Sequence, residues 1–270
     1  MPVHRKKIKA ITFTYKRKIL FPAIVIALIT LLSFAIVYWS AIKKGFIRQK
    51  VKATVSEKSD RLYSIHYEDM ELDEVNGYLS VSNLSLQYDS LKYASLQGED
   101  IPATLFTVSI PAIKVTGVET PKALITKQIV GQKLEITNPV IDIIYTHRGK
   151  NAGKSIPATE VYKQILGELE MIRMDTLLIT GAKITIRDMP SGKPKLLITD
   201  TYIQLRDLSL DSAANRDSTR ILFSKHINID CKSLSWLSKD RLYTYKVEGI
   251  SFDMDNSSAR ADVFRVIPLL

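Results

Sequence analysis

Between about residue 75 and residue 265 the apolar residues recur at every second position, in runs rich in Ile, Val, Leu, Thr and Tyr. Period-two alternation of this kind predicts β-strand. One phrase returns along the chain: apolar, x, apolar, x, a small or turn-prone residue, then x, x, apolar, x, apolar. It reads "LSVSNLSLQY" from Leu79, "LEITNPVIDI" from Leu134, "LLITGAKITI" from Leu177 and "YKVEGISFDM" from Tyr245. "INIDCKSLSW" from Ile227 fits with Cys231 in the middle place, while "VSIPAIKVTG" from Val108 and "IQLRDLSLDS" from Ile203 are partial matches.

The middle place explains the phrase. Leu177 and Ile179 share one side of a strand, but Ile184 and Ile186 have the opposite parity. Something between them must reset the alternation by one residue, or the second pair would point to the wrong face. Gly181 can do so by adopting a positive φ, and Asn83, Asn138 and Gly249 occupy the same place with residue types that tolerate it. These four are the expected kink positions. The copies start at irregular intervals, so the phrase marks a strand type repeated in a large antiparallel sheet, not a strict solenoid.

One helix is expected, over about 158–174, where Val161, Ile165, Leu169 and Ile172 fall on one face and Pro157 suits the first turn. A single helix of that length cannot cover a sheet of many strands. The apolar face must therefore pack on a second sheet or stay open to something apolar.

Charge sets the rest of the layout. The chain of 270 residues has a formal net charge of +10. Seven Lys/Arg lie in residues 1–18 and five in 43–52, with no acid in either stretch, so the remainder holds 26 basic against 28 acidic residues. The β body is near neutral, which argues against a nucleic-acid surface. Between Lys18 and Lys43 run 24 uncharged residues, "ILFPAIVIALITLLSFAIVYWSAI". At 1.5 Å per residue they form about 36 Å of helix, enough to cross a bilayer. Tyr38 and Trp39 suit the headgroup boundary. A cleaved signal peptide is the competing reading, but its hydrophobic region would be long and no polar segment precedes the cut. The expected layout is a basic cytoplasmic tail (1–18), a transmembrane anchor (19–42), a basic juxtamembrane linker (43–60) and a periplasmic β-rich domain (61–270). The more basic tail favours a cytoplasmic N-terminus, and both flanks can hold anionic lipid headgroups. The lone Cys231 cannot form an internal disulfide.

An anchor followed by strands and then by "MDTLLITGAKITIRDMPSGKPKLLITDTYIQLRDLSLD" resembles the AsmA-like family of bacterial envelope proteins, which includes TamB-type relatives. The phrase "L-x-I-x-G-x-x-I-x-I-x-D" at Leu177–Asp188, the run Ile198–Leu210 and "GYLSVSNLSLQYD" at 77–89 carry the resemblance, which spans about residues 19–265. It implies an inner-membrane protein that extends a β-sheet into the periplasm, curled into an apolar groove along which lipids pass toward the outer membrane. It implies no catalytic residues. The closing run "ADVFRVIPLL" has no turn or polar cap, so a longer groove is expected beyond it.

Candidate chemistry is sparse. "GKNAGKS" at 149–155 imitates a P-loop, with Lys154 and Ser155 in place and "LLITD" ending at Asp200 imitating a Walker-B strand. A P-loop needs its first glycine at 148, which is Arg148; Gly149 leaves the loop one residue short, and Pro157 disfavours a helix starting at Ser155. Glu68, Asp69, Glu71, Asp73 and Glu74 lack the spacing of a calcium loop. His4, His66, His147 and His226 form no ligand pair. Neither an enzyme nor a cofactor or metal site is expected, and nucleotide is not expected as a partner. Two readings remain. In one, Ile136, Ile141, Ile143, Ile179, Ile184 and Ile186 line a groove open to lipid, and the protein serves lipid transport or envelope maintenance, with membrane lipids and other envelope proteins as partners. In the other, two sheets close into a sandwich over the same residues, and the domain is an anchored scaffold or adaptor.

Overall fold

The computed structural model describes residues 52–53, 55–57, 59–73, 76–118, 127–146, 170–189 and 192–269. The strands are β1 (Tyr63–His66), β2 (Asp69–Asp73), β3 (Tyr78–Tyr88), β4 (Thr104–Thr116), β5 (Gln128–Thr137) and β6 (Val140–Tyr145). They continue with β7 (Met171–Asp188), β8 (Pro194–Leu210), β9 (His226–Leu237), β10 (Tyr243–Asp253), β11 (Ser258–Arg260) and β12 (Val263–Pro268). All twelve belong to one sheet, ordered β1-β3-β4-β5-β7-β8-β9-β10-β11. β2 lies beside β3, β6 bridges β4 and β7, and β12 lies beside β10. Among the described residues there is therefore no second sheet for the first to close upon.

β5 and β6 are two halves of one bent strand. Both pair β4 on one side and β7 on the other, and Asn138-Pro139 marks the break. The Asn138 N–H donates to Thr180 O at 2.7 Å and the Pro139 carbonyl accepts from Lys183 N–H at 2.8 Å, so the ladder survives the bend. The bend recurs on the other long strands. Asn83 has φ of 47°, Asn138 48°, Gly181 65° and Gly249 62°. Asp200 on β8 does the same with φ of 52°. The register lines these places up: Asn83 stands opposite Pro111, Asp200 and Gly249 both stand opposite Lys232, and Asn138 bonds the residue before Gly181. One crease thus runs across the whole sheet.

Two expectations need correction. The sheet is mixed, not wholly antiparallel: β7 runs parallel to β5 and β6. A parallel pair needs a crossover of a dozen or more residues, and the chain between Tyr145 and Met171 is long enough to supply one. The helix expected over 158–174 does not include its last turn. Met171–Met174 open β7, with Ile172 and Met174 buried on alternate positions beside Ile129 and Gly131. Pairing with β5 overrides the helical spacing there, as tertiary context routinely does. Val161, Ile165 and Leu169 lie outside the described residues, as do the tail 1–18, the anchor 19–42, most of the linker 43–60 and the loop 149–155. No described helix is long and apolar enough to cross a membrane.

A short helix, α1 (Ser90–Ser95), follows β3 directly. Its cap is Asp89, whose carboxylate accepts from the N–H groups of Leu91 (2.8 Å) and Lys92 (2.9 Å). Satisfying two orphan donors lets so short a helix form, and it buries Tyr93 edge-on against Tyr88.

Two outcomes test this arrangement. Adding a Cβ at Gly181 would place it 2.1 Å from Asn138 Oδ1, and an alanine there must hold a left-handed conformation at a cost of roughly 1–3 kcal/mol. Gly181→Ala should lower the urea midpoint accordingly; an unchanged midpoint would mean that the crease does not depend on that conformation. Burial pushes the Tyr63 hydroxyl well above its ordinary value, although the Phe106 N–H donates to it at 3.1 Å and opposes the shift. Above a tyrosine's ordinary pKa of about 10 the unfolded chain ionises while the folded chain stays protonated, so stability is held below that pH and falls above it. Denaturation at rising pH should show Tyr63→Phe declining less steeply than the parent.

Candidate functional site: the apolar face of the sheet

Because each crease resets the alternation, the apolar residues on both sides of it point the same way. One row runs Val81, Ile113, Ile136, Ile179, Ile203, Ile229, Phe252 across neighbouring strands. A second, beyond the crease, runs Leu86, Val108, Ile141, Ile184, Ile198, Leu234, Val247, Phe264. The six isoleucines singled out from sequence fall into three cross-strand pairs on this face: Ile136 beside Ile179, Ile141 beside Ile184, Ile143 beside Ile186.

The opposite face is polar. Lys114 stands across from Glu135, which Lys133 also reaches at 2.6 Å. Arg187 bonds Asp142 at 2.6 Å, the hydroxyls of Thr199 and Ser233 meet at 2.8 Å, and Lys246 reaches Glu248 at 2.6 Å. Lys246, with Arg265 beyond it, holds the Glu248 carboxyl below the usual range. Such pairs at a wet surface add little stability; they mark which face meets water.

Cover on the apolar face changes along a row. Val108 is 4% exposed, Ile141 and Ile184 are half-buried against the core, and Phe264 in the same row is 60% exposed. The tightly packed end is β3–β4, where Leu79, Val81, Leu84, Ile113 and Val115 are fully buried. At the other end Trp236 stacks on Tyr245 with centroids 5.3 Å apart, and Tyr245 on Phe264 at 6.2 Å. This aromatic shelf borders an open hollow lined by Trp236, Leu237, Ser238, Lys239, Asp240 and Tyr245. The buried carboxylate of Asp188 ends β7 close by, paired with Lys195 at 2.7 Å and with Arg241 at 3.8 Å.

The other residues weighed from sequence do not converge. Asp200 is an exposed crease residue 3.9 Å from Lys232, on a strand antiparallel to both neighbours, unlike the parallel strands of a nucleotide-binding sheet. Glu68, Asp69, Glu71 and Asp73 lie along or beside the β2 edge, Glu68 accepting from Asn83 Nδ2, while Glu74 is outside the described residues. His66 sits on β1, and His226 on β9 bonds Asp255; His4 and His147 are not among the described residues. Cys231 is buried at the crease with Sγ 3.3 Å from Ser233 O. Among the described residues no group of three or more His, Cys, Asp or Glu is placed to hold a metal.

Two features escaped the sequence argument. Asp200 fits the recurring phrase, since "LLITDTYIQL" has Leu196, Ile198, Ile203 and Leu205 at the right offsets, but its likeness to a Walker-B strand drew the other interpretation. The aromatic shelf gave no local signal, because Trp236, Tyr245 and Phe264 meet only through cross-strand register.

A scan against protein-family models matches none, and a search of curated proteins returns no match.

The gradient of cover makes equal truncations unequal. Val108→Ala removes two buried methyl-sized groups and should cost roughly 2 kcal/mol from transfer and cavity together. Val247→Ala, in the same row but half-buried, should cost under about 1 kcal/mol. Equal costs in urea denaturation would show that both ends of the row are covered alike.

Proposed function

We propose that this protein is a membrane-anchored periplasmic member of the AsmA-like kind, whose apolar sheet face holds the acyl chains of phospholipids during lipid transport or envelope maintenance. The carrying observation is the unbroken apolar face on one side of a single sheet, exposed increasingly toward β12. Contiguous apolar area beyond a few hundred Å² is costly to leave in water and marks a binding surface. Acyl chains need no specific polar partners, only a strip of aliphatic side chains, and the three isoleucine pairs supply one. The aromatic shelf, with Lys239 in the hollow beside it, suits the boundary between acyl chain and phosphate headgroup. The sandwich-scaffold alternative requires a second sheet over this face, whereas every described strand belongs to one sheet. The uncharged run 19–42 is the proposed anchor, and the basic residues on both sides of it would hold it at the headgroups.

The test is mass spectrometry of lipids extracted from residues 53–270, produced without the anchor and washed free of detergent. A stoichiometric phospholipid is expected, reduced by Ile184→Asp and by Val247→Asp. The second site is half-buried, so a charge there should leave the fold intact by circular dichroism. A folded domain without lipid, or lipid retained unchanged in both variants, would sink the proposal.

A further inference from the structure

The apolar face ends differently at its two limits. Where β7 begins and β8 ends, apolar side chains close it: Ile172 and Leu210 are buried opposite each other, and Phe223 of the β8–β9 connection packs against the core. At the other limit a third row runs Phe106, Ile143, Ile186, Leu196, Trp236, Tyr245 across neighbouring strands. The next residue of β7 on that face is Asp188, two positions past Ile186. Here the face ends in charge.

The Asp188 carboxylate is 5% exposed, and a carboxylate so buried must be paired. Lys195 reaches it at 2.7 Å and Arg241 at 3.8 Å. Arg241 belongs to the β9–β10 turn, which its own N–H closes by donating to Ser238 O at 3.0 Å. The same turn carries Lys239, and Lys193 is exposed in the neighbouring β7–β8 turn. The acid of the β9–β10 turn, Asp240, accepts from the Ser238 hydroxyl and from the Leu242 N–H at 3.0 Å, so it serves the turn itself. Four cations (Lys193, Lys195, Lys239, Arg241) thus stand against two acids (Asp188, Asp240), an excess of two positive charges. Between this corner and the isoleucine pair Ile143–Ile186 lie the stacked rings of Trp236 and Tyr245, and the hollow beside those rings is lined in part by Lys239.

We propose that this corner binds the headgroup of a phospholipid with net negative charge, its acyl chains running from the aromatic shelf along the isoleucine rows toward the crease. The inference rests on the reading of the apolar face as a lipid-holding surface, and adds to it a headgroup class and a direction. A phosphate accepts charge-assisted bonds from ammonium and guanidinium groups. Arg241 has donors to spare, because its side chain is 65% exposed and only loosely engaged by Asp188. Aromatic rings suit the junction between acyl chain and headgroup, being apolar in body and tolerant of a polar neighbour. The excess of positive charge favours an anionic headgroup over a zwitterionic one, whose ammonium cancels the charge of its phosphate.

Trp236 supplies the reporter. The chain has two tryptophans, Trp39 and Trp236, so Trp39→Phe leaves one, at the hollow. The full-length Trp39→Phe protein, held in phosphatidylcholine nanodiscs, is titrated with water-soluble dihexanoyl phosphatidylglycerol, dihexanoyl phosphatidylcholine or inorganic phosphate. Phosphatidylglycerol should shift the Trp236 emission at a roughly fivefold lower concentration than phosphatidylcholine, the effect expected of exposed charges. High salt should remove that difference. So should the exposed pair of changes Lys239→Gln and Arg241→Gln, which bring the phosphatidylglycerol titration onto the phosphatidylcholine one and leave Lys195 to neutralise Asp188. Equal responses to the two lipids in the parent overturn the headgroup site while the lipid-holding face stands. No response to either lipid overturns both. A shift given equally well by inorganic phosphate assigns the corner to free phosphate and overturns the lipid headgroup.

Discussion

A strand that bends must keep its buried side chains on one face, and this requirement shapes the sheet. A bend that adds one residue would flip every later side chain. Here the flip falls at a left-handed residue in five places, Asn83, Asn138, Gly181, Asp200 and Gly249, while β4 and β9 cross the same level at Pro111 and Lys232 without one. The absorption works only if neighbouring strands bend at the same level, because the ladder bonds must continue through it. Asn138 and Pro139 show how closely this is kept, each bonding β7 on its own side of Gly181. The crease is thus a property of the sheet and not of any one strand.

From that continuity follows the asymmetry of the molecule. One face gathers the aliphatic rows and the other gathers lysines, acids and hydroxyls. The aliphatic rows are fully covered at β3–β4 and progressively less so toward β10 and β12. Stability is therefore concentrated at one end, where truncations are costly, while the other end keeps apolar surface in contact with solvent. The stacked aromatic residues Trp236, Tyr245 and Phe264 lie at that same end.

Much of this was legible in the chain, and the gaps have physical reasons. The repeated phrase encodes both the alternation and its reset, so strand type, the four crease residues and the shared face of the six isoleucines could be anticipated from local spacing, whereas their cross-strand pairing could not. The same phrase fits at Asp200, and only a competing resemblance obscured it. Helix α1 is six residues long, too short for a periodic signal, and its one local mark is the capping Asp89. The start of β7 was missed for the opposite reason. "ILGELEMIRM" has good helical spacing, and the strand at Met171 exists because β5 is there to pair with it.

The sequence by itself determined that this chain makes strands, that each carries one apolar face, and where each must kink, because period and parity are local properties. It also determined where the charge lies, with the basic excess confined to both sides of one uncharged run. Tertiary structure alone decided that β7 runs parallel to β5 and β6, since direction depends on the path of a crossover and not on side-chain period. It alone decided that the described strands form one sheet instead of two, because alternation requires only that one face be apolar and does not say what lies over it. The meeting of Trp236, Tyr245 and Phe264 belongs to the same class: it comes from which strands are neighbours, and neighbours are chosen by the whole chain.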